Sequence, residues 1–443
     1  MHRSPMVLNW LHQWIVLAAG LILLPVFTQT LFAAIIGTNS PAQPLTAERI
    51  AALPRAQRSA WMDYLKRSSK QWRTDQAFLR LEMRKHNLRS TVLPPAGRST
   101  RSMPLDQADS WYGSEDARRI ANIIVSFQTP AGGWSKNLDM TQHARAPGEA
   151  FAPNNASQHL ADDDFDMPRD ASWDYVGTFD NDATTTEMLF LAKVAAAGTN
   201  PPTAYHAAFL HGLDYIFDSQ YPNGGWPQVW PLQGGYHDAI TFNDNAMLNV
   251  LTLLRSVSGT NREFAFVPKK YRARAVASLQ RGLACVLATQ IVVRGHRTVW
   301  CQQHDALTLQ PVSARNYEMP AQVSGESADL MIFLMEQNRP SPELVAAVIA
   351  AAGWFEQTKI SGVALDYGPG LGRHLVAAPG DGPMWARYYE IGTDRPIFGD
   401  RDKSIHNDLN EISAERRNGY SWYNEAPKRV LERLADWKVL HGP

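Results

Sequence analysis

Gln128–Trp134 reads QTPAGGW and Gln220–Trp226 reads QYPNGGW, and each follows directly on a stretch with apolar residues at helical spacing. A second echo pairs Thr178–Ala183, TFDNDA, with Thr241–Ala246, TFNDNA, and each opens a new helical stretch, Glu187–Ala197 and Met247–Val257. One unit is therefore a helix, a Gly-rich turn ending in Trp, an extended excursion, an Asp/Asn-rich helix start and a return helix. A third, diverged unit runs from helix Ala273–Val292 through VWCQQHD (Val299–Asp305) to a helix over Ser327–Met335. A fourth outer helix, Glu343–Lys359, leads into an arginine-rich loop in place of a clean return helix. Hairpins that cannot bury their apolar faces alone stack on their neighbours. Alternating inner and outer helices can close into an α/α toroid with the turns gathered at one end. The expected fold class is mainly α, an incomplete toroid of helical hairpins with short extended excursions at the cleft end.

Outward from the repeats, Thr46–Ser68 and Gln71–Asn87 read as two helices, and Ser114 caps another that reaches Phe127. Short strand candidates occur only near Gln290–Trp300. Leu138–Val176, inside the first unit, is long and polar and is expected to form a lid or rim. Its DDDFD run (Asp162–Asp166) resembles the aspartate-rich motif of prenyl-diphosphate enzymes but reads as a solvated loop. The chain has 443 residues, with 43 basic against 43 acidic side chains, so nothing in its charge argues for nucleic acid. Fourteen tryptophans and fourteen tyrosines supply rings for core packing, or for stacking on sugars in a cleft. Residues 1–36 hold a short basic start and an apolar run from Trp14 to Ile36, the pattern of a signal peptide or an uncleaved anchor. Residues 37–45 read as a Ser/Pro/Gln/Thr linker and 46–443 as one catalytic domain. A secreted or periplasmic location follows. Cys285 and Cys301 are expected as buried thiols, although that compartment would permit a disulfide.

The chemistry concentrates in turns and caps. Trp385–Asp402, WARYYEIGTDRPIFGDRD, alternates Arg387, Arg395 and Arg401 with aromatics and carboxylates and has no secondary-structure period. Such a loop suits an acidic sugar, or forms salt bridges with Glu390, Asp394, Asp400 and Asp402. Asp180–Asp182 and Asn243–Asn245 are oxygen-rich helix starts. They act as N-caps or, if the two inner helices are neighbours, converge on a hard cation such as calcium. Lys136 has proline in the matching slot of the echo (Pro227), so the fold does not require it. His304 is either a substrate contact or a satisfied structural histidine.

QTPAGGWSKN, TFDNDATTTEM, YPNGGWPQVWP, ITFNDNAM, VWCQQHD, ARNYEMPA, ARYYEIGTDRPIFGDRD and ERRNGYSWY, in this order, resemble the motif series of family 10 polysaccharide lyases, pectate lyases with an incomplete α/α toroid. The resemblance runs from about Leu45 to the C-terminus. It implies calcium-assisted β-elimination of polygalacturonate, with calcium (Ca2+) at Asp180 and Asp244 and Arg401 as catalytic base. By the same resemblance Lys136, Arg315, Arg387 and Arg416 bind substrate, and His304 is a further candidate. Lys403 stands where the resemblance leads one to expect glycine. The implied partner is an acidic polysaccharide, polygalacturonate or pectin, acted on by a monomer. Two other readings remain open at this point. A toroidal glycoside hydrolase would pair Asp180 or Asp182 with Asp244 or Glu326, and a non-catalytic polysaccharide-binding protein would keep the arginines and release no product.

Overall fold

The computed structural model describes residues 35–94, 103–153, 161, 163–167, 176–198, 203–368 and 372–441. Its helices are α1 (Ala47–Ala51), α2 (Arg55–Lys85), α3 (Glu115–Ser126), α4 (Thr185–Ala197), α5 (Thr203–Ser219), α6 (Ala246–Ser258), α7 (Lys269–Thr289), α8 (Gly325–Met335), α9 (Pro342–Thr358), α10 (Ala414–Gly419) and α11 (Ala426–His441). Helices α3, α5, α7 and α9 pack side by side as an outer layer, and α4, α6 and α8 as an inner one. The fourth outer helix does acquire a partner: α11 packs on both α8 and α9, completing that hairpin from the C-terminus. Burial follows the layering. Outer α3 buries one stripe of Ile120, Ile123 and Ile124, whereas inner α4 buries Met188, Phe190, Leu191, Ala192, Val194 and Ala195 on almost every side. Ser114 and Ser341 cap α3 and α9 by accepting from Ala117 N and Leu344 N, and Pro342 occupies a first-turn position that needs no N–H. The molecule is a mainly α toroid.

The repeated turn explains why these helices stack. Gln128 donates through Nε2 to Gly132 O in its own turn and to Ala208 O of α5, the next outer helix. Gln220 bridges Gly224 O and Ser278 O of α7 in the same way, and Gln290 bridges Thr298 O and Ala347 O of α9. Each amide thus ties a turn to the following unit, contributing about 1 kcal/mol per hydrogen bond. The Trp of the turn faces back. Trp134, Trp226, Trp300 and Trp385 are all buried, and each Nε1 donates to the preceding outer helix, at Ile124 O, Ile216 O, Val286 O and Phe355 O. Trp385, at the start of the arginine loop, is therefore the turn tryptophan of the fourth unit. Gly224 has φ +94°, and a Cβ there would lie 2.1 Å from Arg281 O, so the turn can press on α7 only as glycine.

Three expectations need correction. The helix break falls at Pro54, not at Ser69–Lys70, because proline cannot continue a helix whereas a short polar run on an exposed face can. An antiparallel hairpin, Val363–Gly368 with Gly372–Ala377, occupies a region with no strand expected, and its half-exposed faces carry little alternation. The 37–45 stretch is not a free linker. Ile35–Thr38 pairs with Ser404–His406, Asn39 donates to Arg315 O and Asn316 O, and Leu45 N donates to Asp238 Oδ2. Residues 1–34, most of the expected signal or anchor, lie outside the described residues, as does part of the Leu138–Val176 excursion. Among the described residues no helix is long and apolar enough to cross a membrane. Both cysteines are buried free thiols, and burial pushes Cys285 up to about 12.

Candidate active site

The Asp/Asn-rich helix starts are tight turns in which side chains adopt backbone angles that usually demand glycine. Asn181 and Asp182 have φ of +53° and +65°, and Asp244 and Asn245 have +47° and +59°. Asp and Asn tolerate this left-handed region best, which explains why the echo keeps these residue types. The matching angles pair Asn181 with Asp244, so Asp180 corresponds to Asn243. Both of those leading residues are buried, and the two turns touch.

Asp180 lies on the wall of a cleft of about 270 Å³ that also takes in Lys136, Asp166, Tyr236, His237, Arg315, Tyr317 and Arg401. Lys136, Arg315 and Arg401 therefore come together as expected. Lys136 Nζ bonds Asp180 Oδ2, while the buried Oδ1 has no hydrogen-bond partner. Burial alone would raise the pKa of Asp180, but the charges of Lys136 and Arg315 outweigh it and hold the carboxylate below its ordinary value. Arg315 makes a loose pair with Glu318 at 3.5 Å, whose charge lifts the Arg315 pKa further. Arg401 is gripped by Glu415 through two bonds, Nε to Oε2 at 2.9 Å and Nη2 to Oε1 at 3.0 Å, and these bonds raise its pKa against a smaller opposing effect of burial. Arg416 shares Glu415 through Nε at 2.7 Å, and its guanidinium lies 4.4 Å from the Tyr317 ring centre. Between them the two arginines pull Glu415 down to about 2. Gly399 lets the loop carrying Arg401 lie against the Arg315 loop, since a Cβ there would meet Tyr317 O at 2.3 Å.

Asp244 opens elsewhere. It lines a second cavity of about 430 Å³ with Asp182, Asn245, Glu326, Asp329 and Arg387. Arg387 is bonded to Glu326 at 2.5 Å and to Asn243 Oδ1 at 3.3 Å. Asp180 and Asp244 thus line different cavities, because they sit one position out of register on two turns that touch. Among the described residues no group of three or more His, Cys, Asp or Glu side chains is placed to hold a metal. The buried, unpartnered Oδ1 of Asp180 is an oxygen donor that suits a hard cation, which would take the rest of its ligands from solvent or substrate, while Oδ2 is held by Lys136.

His304 is corrected from substrate contact to structural residue. It is fully buried, with Nδ1 2.9 Å from Leu309 O and Nε2 accepting from Cys301 N, and burial pushes it down to about 4. Arg395 pairs with Glu390 at the surface, as the salt-bridge reading expects, but Arg401 and Arg387 take Glu415 and Glu326 in place of the loop's own carboxylates. Lys403 adopts φ +73°, the conformation for which glycine is suited, and its Nζ pairs with Asp163 of the rim. Sequence reading missed Asp166, Tyr317 and Glu415. ARNYEMPA does contain Tyr317 beside Arg315, but nothing in the chain order joins Asp166 to Tyr236, or Glu415 to Arg401.

The pectic acid lyase family matches residues 128–431. Two solved structures are similar over most of their length. A family 10 polysaccharide lyase from Cellvibrio cellulosa is 32% identical with a TM-score of 0.62, covering 77% of this chain and 98% of its own. A mutant of a family 10 polysaccharide lyase from Cellvibrio cellulosa, in complex with trigalacturonic acid, matches at 32% identity and TM-score 0.62, covering 75% of this chain and 97% of its own. No curated protein matches the chain. The hydrolase and binding-module readings give way, and the chain, a polysaccharide lyase, belongs to the pectic acid lyase family.

Proposed function

We propose that this protein cleaves polygalacturonate by calcium-assisted β-elimination, outside the cytoplasm and as a monomer, leaving 4,5-unsaturated oligogalacturonates. The observation that carries the reading is the cleft in which Lys136, Arg315 and Arg401 surround the buried carboxylate of Asp180. Three cations in one cleft match a substrate with a carboxylate on each sugar, and trigalacturonic acid is what the mutant relative holds. Calcium, held by Asp180 with help from the neighbouring turn of Asp244, would supply Lewis-acid stabilisation of the charge that grows on the uronate carboxylate as the C5 proton leaves. The chain's own cations do the orienting. Lys136 and Arg315 bind carboxylates or hydroxyls inside the cleft, Arg416 stands beside it against Glu415 and Tyr317, and Arg387 supplies a cation to the second cavity. The secreted or periplasmic location rests on the apolar run to Ile36, and N-terminal sequencing of protein from the medium or periplasm checks it.

The base is assigned to Arg401, with Lys136 as the rival. Glu415 holds Arg401 cationic through two good bonds, the opposite of what a proton acceptor needs. Arg401 acts as base only once substrate displaces Glu415. Arg315 is held cationic as well, with Nη1 bonded to the Tyr317 hydroxyl at 3.2 Å and paired with Glu318 at 3.5 Å, and the Glu318 charge lifts its pKa further. The deciding experiment follows near-ultraviolet absorbance of unsaturated product from polygalacturonate, with calcium and with excess chelator. Turnover is expected only with calcium, and full rates in chelator would overturn the metal assignment. In the same assay Arg401→Lys is expected to lower kcat roughly a hundredfold or more with KM little changed. If Arg401→Lys is spared while Arg315→Lys or Lys136→Ala is dead, the base is the residue whose loss kills turnover.

A further inference from the structure

The cleft that gathers three cations also contains a carboxylate that the elimination does not use. Asp166 lines the same cavity as Lys136, Arg315 and Arg401. Its side chain is only 15% exposed. The Tyr236 hydroxyl donates to Asp166 Oδ1, and His237 Nε2 lies 3.6 Å from that same oxygen. Burial would raise the Asp166 pKa, but the His237 contact, the Arg315 charge and the Tyr236 hydroxyl overcome it and bring it to about 2. The carboxylate is thus charged at any working pH.

Its position is built in from three sides. Phe165 N donates to Asn316 Oδ1 at 3.0 Å, and Asn316 Nδ2 donates to Arg401 O at 2.9 Å, so the rim residue next to Asp166 is joined to the loops of both Arg315 and Arg401. Lys403 Nζ pairs with Asp163 and lies 5.2 Å from the Phe165 ring centre. Lys403 adopts φ +73°, a backbone conformation that costs a non-glycine residue.

A fixed anion in a partly desolvated cleft repels a second anion far more strongly than it would in water. Every unit of unmodified polygalacturonate carries a carboxylate, so the unit that sits against Asp166 meets like charge. A methyl-esterified unit has no such charge, and its hydroxyls can donate to the Asp166 carboxylate. On the basis of the uronan-lyase reading above, we propose that Asp166 is a specificity-determining residue that makes one position in the cleft select an esterified galacturonate unit, so that partly methyl-esterified pectin is the preferred substrate.

The test compares kcat/KM for unesterified polygalacturonate and for a pectin of intermediate methyl-ester content, using the full chain and its Asp166→Asn variant. Asparagine removes the charge and keeps an oxygen for the Tyr236 hydroxyl. The ratio of pectin to polygalacturonate activity is expected to fall roughly tenfold, through a gain on polygalacturonate, equivalent to about 1.4 kcal/mol. Asp166→Ala, with thermal unfolding to confirm its fold, is expected to move the ratio the same way. A change by one common factor on both substrates assigns Asp166 a structural role only and overturns the proposal, as does an unchanged or rising ratio. Absence of unsaturated product from both substrates with the parent protein and added calcium would instead remove the lyase reading, and this inference with it.

Discussion

Asp180→Ala is expected to lower kcat/KM on polygalacturonate by about three orders of magnitude, the loss that follows removal of a group stabilising developing charge, while the variant unfolds at nearly the parent temperature. Asp180 is 1% exposed, its Oδ1 has no hydrogen-bond partner, and its Oδ2 is occupied by Lys136. A buried carboxylate oxygen without a donor costs stability, so a chain that retains one is using it for something other than folding. The substitution removes that cost together with the favourable charges of Lys136 and Arg315 on the carboxylate, and the lysine left unpaired is 17% exposed and borders the cleft, where water can solvate it. The backbone turn survives because its left-handed residues are Asn181 and Asp182, not Asp180. Absorbance assays at saturating calcium, paired with thermal unfolding, check both halves. Activity within tenfold of the parent would rule out Asp180 as the centre of the site. A variant that is inactive and also unfolds early would make Asp180 a folding residue.

The fold was legible in the sequence to the extent that its repeat is written in unusual residues. Gly-Gly-Trp is visible twice because the glycine must abut a neighbouring carbonyl and the Trp must reach back to its own helix. The third unit was legible only as a diverged copy and the fourth only as an outer helix without a clean return, because Gln290 and Trp385 make the same bonds without the glycines. The long helix α2 was misread because a polar run resembles a loop, although nothing in Ser68–Gln71 stops a helix. At the site, the resemblance carried by distinctive strings assigned Lys136, Asp180, Arg315 and Arg401 to one substrate, and the four line one cleft. It could not show that Asp244 turns to another cavity, because a one-residue offset between DND and NDN decides which carboxylate points inward. Nor could it separate His304 from a ligand-binding histidine, because burial is a property of the assembled layers. Glu415, fourteen residues from Arg401, and Asp166, seventy from Tyr236, enter the cleft through tertiary structure alone.

Glu187→Gln is expected to flatten the pH dependence of stability and to make the protein more stable than the parent on the alkaline side. Glu187 lies in the first turn of α4, fully buried, with Thr186 Oγ1 3.2 Å from Oε2 and no partner for Oε1. Burial is the main cause that raises its pKa from 4.5 to about 8, and hydrogen bonds from the turn offset only part of it. In the native protein at neutral pH the carboxyl is therefore protonated, whereas in the unfolded chain it is ionised. Between those two values the unfolded state binds fewer protons, so stability falls as pH rises. The contribution is fully present below about 4.5, declines up to about 8, and is constant beyond. At 1.36 kcal/mol per unit the whole span amounts to about 5 kcal/mol, an upper bound because the native state can admit water near the charge. Glutamine has nearly the same shape, accepts from Thr186 and carries no charge at any pH. Urea unfolding at about pH 5 should find the two proteins within about 1 kcal/mol, and at about pH 9 the glutamine variant ahead by about 2 to 5 kcal/mol. Asp75, raised to about 7 by burial, slopes the same way in both proteins and cancels in the difference. Parallel stability curves for parent and variant would mean that Glu187 is already ionised in the folded state, stabilised by a charge that the burial of α4 does not reveal.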